Sequence, residues 1–183
     1  MARLPYPELQ ALPEEVRTTL GQLPVQLNVF RMMAHATTCF RPWLRLGTAI
    51  LNELELDPRL RELVILVVAR ETQCAYEWGQ HVALARLVGV SEEQVRAIEE
   101  GKDQAAVFTP TEQLVLTTAK ALLASPRLDD EQWNQLVGAF NPRQIVELCL
   151  VVGFYSMLAR VLETTGVDLD APFAQALSRP LDS

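Results

Sequence analysis

Apolar residues recur at helical spacing along most of this chain, and the breaks between the runs carry helix-starting and helix-ending residues. Pro24 to Ala36 supplies Val25, Leu27, Val29, Phe30, Met32 and Met33, a broad stripe, and Phe40 to Leu54 adds Trp43, Leu44, Leu46, Ile50, Leu51 and Leu54. Asp57-Pro58 predicts a helix over 58–70, because Asp caps free amides and Pro suits the first turn. Its stretch from Leu63 to Ala69 is apolar throughout and needs burial on every side. A further helix over 73–88 is closed by Gly89. Capping boxes at Ser91/Gln94, Thr109/Glu112 and Asp129/Gln132 open helices to Gly101, Ala124 and Ala139. Asn141-Pro142 opens the longest, to about Thr164, with 148–154 apolar all round and Gly166 as its stop. A short helix from Pro13 to Leu20 is closed by Gly21. Residues 1–12, with Pro5 and Pro7, read as an extended arm lying on a neighbour, and the tail from Asp168 as a turn or short helix. No stretch alternates apolar and polar residues between turn signals, so strands are not expected. The pattern predicts an all-α fold of about eight helices, with an N-terminal arm and helices over 1–40 and a helical domain over 41–183 whose core motif is 58–101.

Composition narrows the partners. With 183 residues and 49% hydrophobic content, the chain can bury a core unaided. Its 16 basic and 23 acidic residues leave a charge of -7 with no Lys/Arg-rich block, which argues against nucleic acid and anionic membrane as partners. No apolar run is expected to span a bilayer, the first residues lack a signal-peptide pattern, and a cytoplasmic location is the expectation. Cys39, Cys74 and Cys149 are odd in number and far apart, so reduced thiols are expected rather than a disulfide framework or a zinc site, with Cys39 and Cys149 as small buried hydrophobes. The apolar content of the helices starting at Pro58 and Pro142 exceeds what one small domain hides, which predicts a homo-oligomer.

Chemistry concentrates between Glu62 and His81. Cys74, Glu77 and His81 are spaced three and four apart, so on one helix they share a face, and Glu62 on the preceding helix meets them only if the two helices pack together. His81 is the side chain best matched to proton transfer near neutral pH, with Glu77 one turn away as the group to orient it and Glu62 as a second acid if burial favours its neutral form. Cys74, near a helix start, is the alternative centre: its thiolate could be held by the helix amides and His81, and a lone thiol reduces peroxide when an external thiol resolves the sulfenic acid. Tyr76 and Trp78 are candidate pocket walls, Arg70 or Arg61 a candidate grip on a substrate carboxylate, and His35 a candidate brought in by assembly. Glu62, Glu77 and His81 lack a second His, so neither a metal nor another cofactor is expected.

Arg61-Glu62-Leu63, Ala69, Cys74-x-Tyr76-Glu77-Trp78-x-x-His81, Ala85 and Gly89-Val90-Ser91 together resemble the signature of the carboxymuconolactone decarboxylase and alkylhydroperoxidase AhpD-like family. Asn28 to His35 resembles, more weakly, the region before the domain in peroxidase-related members. The resemblance implies an all-helical fold assembling into trimers or hexamers and, in the alkylhydroperoxidase branch, a redox site of Glu, Cys-x-x-Cys and His. Glu62, Cys74 and His81 fall at three of those positions, but Glu77 stands where the peroxide-attacking second Cys belongs, so the motif is closer to the decarboxylase branch. Three activities stay open: carboxymuconolactone decarboxylase-like or related acid-base chemistry on a small carbonyl or lactone compound, a thiol peroxidase using Cys74 with an external reductant, and a non-catalytic oligomer that binds a small ligand.

Overall fold

The computed structural model describes residues 1–170. These residues form a short 3-10 turn, Leu9–Ala11, and nine α-helices: α1 Glu14–Gln22, α2 Asn28–Met33, α3 Phe40–Asn52, α4 Pro58–Glu71, α5 Ala75–Leu87, α6 Glu92–Glu99, α7 Pro110–Ala124, α8 Asp130–Ala139 and α9 Pro142–Thr165. Among the described residues there is no strand.

α4 is the axis. Arg61 to Ala69 are all buried, because α5, α7 and α9 pack around the helix from different sides. The all-round apolar run of α4 therefore finds its burial within one chain. Asp57 caps it as expected, accepting from the Arg59 and Leu60 amides. The boxes at Ser91, Thr109 and Asp129 form reciprocally, and a fourth closes between Asn141 and Gln144. Gly89, Gly101 and Gly166 take the left-handed backbone that ends a helix.

Several expectations need correction. Gly21 lies inside α1 rather than ending it, and the helix before α3 covers Asn28–Met33 only, because Leu23 to Leu27 run outside it. The arm lies on its own chain: the Arg3 and Leu4 amides donate to the Thr165 carbonyl at 2.8 and 3.1 Å, and the Ala2 amide to Asp168 at 3.1 Å. Cys39 and Cys149 are exposed. α9 is long and apolar enough to span a bilayer by composition, contrary to the expectation for this chain; 56% of its most apolar window is buried in the fold, as in a core helix. Glu147, an acid inside that apolar helix, bonds Arg143 and accepts the Leu56 amide at 2.8 Å. The expected tail lies almost wholly outside the described residues.

Candidate active site

The α4–α5 packing brings the expected residues together by a sharp connection. Gln73 takes a positive φ of 55°, unusual for a side-chain-bearing residue, and Cys74 is extended, so α5 starts at Ala75 and folds back along α4. Cys74 is thus the residue before the helix and not a member of its face.

His81 and Glu62 form the centre of the site. The Glu62 carboxylate, 0% exposed, receives His81 Nδ1 at 2.8 Å on one oxygen and the Arg61 guanidinium at 2.9–3.0 Å on the other. Burial alone would push this carboxyl up, but the bonds from His81 and the charge of Arg61 outweigh it and hold Glu62 below the usual carboxylate range. An ionised carboxylate only accepts, so Nδ1 is the donor, and in the neutral imidazole the lone pair sits on Nε2. Among the described residues nothing bonds Nε2. The Tyr155 ring of α9 stands edge-on to the imidazole, 4.8 Å between centroids.

Glu77 is placed differently. It is 2% exposed, and neither carboxylate oxygen has a hydrogen-bond partner. Burial, with the nearby charge of Glu163 adding to it, pushes its pKa up to about 8, while the Cys74 thiol acts weakly the other way. Glu77 is therefore mostly a neutral acid at pH 7, despite sitting in the first turn of α5, where the helix dipole favours a carboxylate. The expected His81–Glu77 pair is replaced by a His81–Glu62 pair. Glu62 is held ionised, and the carboxyl that burial favours as the neutral acid is Glu77.

The thiol fares as burial dictates. Cys74 is 0% exposed, and burial and then the Glu77 carboxyl push it well above the ordinary thiol range. The helix amides do not make it a thiolate.

His81 and Glu77 open on a cavity of about 340 Å³ between α3, α5, α9 and the segment from Leu23 to Phe30. Its walls are chiefly apolar and aromatic: Trp43 and Phe154 lie nearly parallel, at 8° and 6.1 Å, with Phe30 edge-on to Trp43. Gly47 permits this, since a Cβ there would stand 3.1 Å from the Phe154 ring. Tyr76 lines the cavity as expected, but its hydroxyl is committed: it donates to Asp170 and accepts the Val29 amide at 3.3 Å. Trp78 does not line the cavity. Arg70 lies outside too, bonding Asp103 at 2.8 Å, and Arg61 grips Glu62 rather than a substrate. His35 is exposed, its Nε2 bonded to the Pro5 carbonyl at 2.8 Å. Trp43, Phe154 and Tyr155 escaped the sequence reading as site residues, since nothing local separates a pocket aromatic from a core one.

Residues 38–121 match the model of the carboxymuconolactone decarboxylase family, over the stretch that holds Glu62, Cys74, Glu77 and His81. α9 and the Leu23–Phe30 wall of the cavity lie outside the matched residues. No curated protein matches the chain significantly. Among solved structures, the fold is similar to the alkylhydroperoxidase AhpD core of a peroxidase-related protein from Ralstonia eutropha JMP134, at 22% identity over 94% of each chain and a TM-score of 0.79. A peroxidase-related protein from Silicibacter sp. TM1040 is similar at 21% identity over 94% of this chain and 93% of that one, with a TM-score of 0.80. The debrominase Bmp8, solved in complex with 2,3,4-tribromopyrrole, is similar at 17% identity over 90% of this chain and 88% of that one, with a TM-score of 0.72. The AhpD-like fold is thereby established.

Proposed function

We propose that this protein is an acid-base enzyme acting on a small carbonyl or lactone compound, with His81 as base and Glu77 as acid. The observation that carries this reading is the 2.8 Å bond from His81 Nδ1, in the cavity wall, to an ionised Glu62 sealed behind it. Glu62 holds the imidazole in one tautomer and stabilises the charge that forms when Nε2 accepts a proton. His81 Nε2 takes the proton from the carbon beside the carbonyl, the C–H pair moves into the carbon–carbon bond, and the carbonyl oxygen takes the proton that Glu77 gives. Glu77 turns its carboxyl toward the bound oxygen for this step. The reverse transfers release the exchanged or isomerised product, with no net oxidation.

The experiment is hydrogen–deuterium exchange in deuterated water, followed by proton NMR on cyclopentanone, acetophenone and γ-butyrolactone. The expected result is exchange of at least one compound about a hundredfold above buffer, falling to the buffer rate in His81→Gln. Exchange that survives His81→Gln overturns the reading. The thiol peroxidase reading is disfavoured by the sealed, protonated Cys74.

A homo-oligomer is part of the proposal. Val146, Leu150 and Met157 lie along one face of α9 and are exposed, as are Trp133 and Val137 of α8, which is the surface a second copy would cover. Light scattering of Leu150→Glu, expected to be smaller than the parent, tests it.

A further inference from the structure

The cavity has one composition and one set of leftover hydrogen-bonding groups, and together they restrict what enters it. Its described lining holds no Lys and no Arg; the ionisable residues there are Glu77, His81, Tyr76 and Tyr155. The guanidinium nearest the chemistry, Arg61, is already spent on Glu62 and on the Leu51 carbonyl at 2.6 Å. His81 is likewise tied to Glu62 through Nδ1. Among the described residues, the buried side-chain polar atoms that lack any partner are Trp43 Nε1 and the two oxygens of Glu77, and both residues line this cavity.

A carboxylate brought into such a space would lose its water and meet no Lys or Arg, a cost of several kcal/mol. An amine would also lose its water, and the attraction of the ring faces for a cation, about 0.5–2 kcal/mol, does not repay that cost while Glu77 stays a neutral acid. A carbonyl or lactone oxygen needs neither counter-charge nor cation. It can accept from the indole N–H of Trp43 or from the protonated Glu77 after a local turn of either side chain. Size agrees: at about 30 Å³ for each water-sized group, 340 Å³ takes roughly eleven. The nearly parallel Trp43 and Phe154 rings offer flat apolar wall to a ring of that size.

We infer that the cavity selects an uncharged, ring-sized apolar carbonyl compound and excludes its carboxylate and amine counterparts. This names the substrate class of the acid-base reading and rests on it for the chemistry, but binding alone decides it. Trp43 Nε1 is then a specificity group that reads the carbonyl oxygen, on a helix that carries none of the acid-base residues.

The test uses three probes of one shape and three charges: 2-indanone, indane-2-carboxylate and 2-aminoindane, titrated calorimetrically into the full chain at pH 7. The expected result is a Kd for 2-indanone at least tenfold below those of the two ions. Thr48→Trp, at an exposed position on the cavity lip, should abolish that binding while leaving Tm unchanged. Trp43→Phe should weaken it about tenfold, through loss of one hydrogen bond. Equal or tighter binding of either ion overturns the inference, as does 2-indanone binding that Thr48→Trp does not alter, or no binding of any probe. If the ketone binds selectively yet no compound exchanges deuterium, the acid-base reading fails and the selectivity stands.

Discussion

Glu62 and Glu77 are the same residue type on two packed helices, both sealed from water, and they end in opposite protonation states. Glu62 has three donor contacts, from His81 and from the two guanidinium nitrogens of Arg61, and stays ionised. Glu77 has none, and the nearest charge that matters is another acid, Glu163. Burial acts on both in the same direction, so depth does not decide the outcome; partners do. Two acids set apart in this way by their surroundings can serve as a fixed anion and a proton donor within one site.

The comparison breaks most visibly if Glu62 loses its carboxylate. Glu62→Ala leaves Arg61 buried beside an apolar neighbourhood with no counter-charge, at a cost of about 3–5 kcal/mol and a Tm lower by roughly 6–20 °C in calorimetry. A change within 2 °C, on the order of 1 kcal/mol or less, would mean that Glu62 and Arg61 are not the buried pair described.

The pH dependence separates the two acids next. Glu77 is raised from 4.5 to about 8, so the folded chain keeps a proton that the unfolded chain has already lost. Unfolding free energy should therefore fall as pH rises through that interval, by on the order of 3–5 kcal/mol, and the fall should flatten in Glu77→Gln. Glu62 is lowered, so its contribution is present above the ordinary carboxylate pKa and is lost as pH falls through its folded value. Urea midpoints between pH 4 and pH 9 for the parent chain and Glu77→Gln read this directly; parallel curves would mean that Glu77 is not a buried neutral acid.

Smallest of all should be the effect of the thiol between them. Cys74→Ala removes one buried sulfur, costs about 1 kcal/mol, and should leave deuterium exchange within twofold. Exchange lost together with the sulfur would return Cys74 to the chemistry.

Much of this was legible before any coordinates. The capping boxes, the glycine stops, the buried run of α4 and the grouping of Glu62, Cys74, Glu77 and His81 all depend on residues within a turn or two of each other, or on the family signature, which lies in one continuous stretch. Partner choice was not legible. Spacing put Glu77 beside His81, but the helix packing delivered Glu62 to the imidazole across 19 positions. The helix-start argument for Cys74 was sound locally and lost to desolvation, because a dipole is worth about 0.3–1 kcal/mol and burial of a thiolate costs more. Arg70 was a candidate by nearness in sequence and His35 through assembly, and each is held elsewhere by a contact that sequence order does not reveal.

By itself the sequence determined which segments are helical, where most of them begin and end, and which short stretch holds the acids and the imidazole, since those depend on local hydrogen bonding and on 3.6-residue periodicity. Only the tertiary structure decided which acid is charged, which is neutral, and what walls the cavity, because electrostatic free energy in a buried site is set by the few groups within about 4–6 Å, and here those come from α3, α4, α5 and α9 at once.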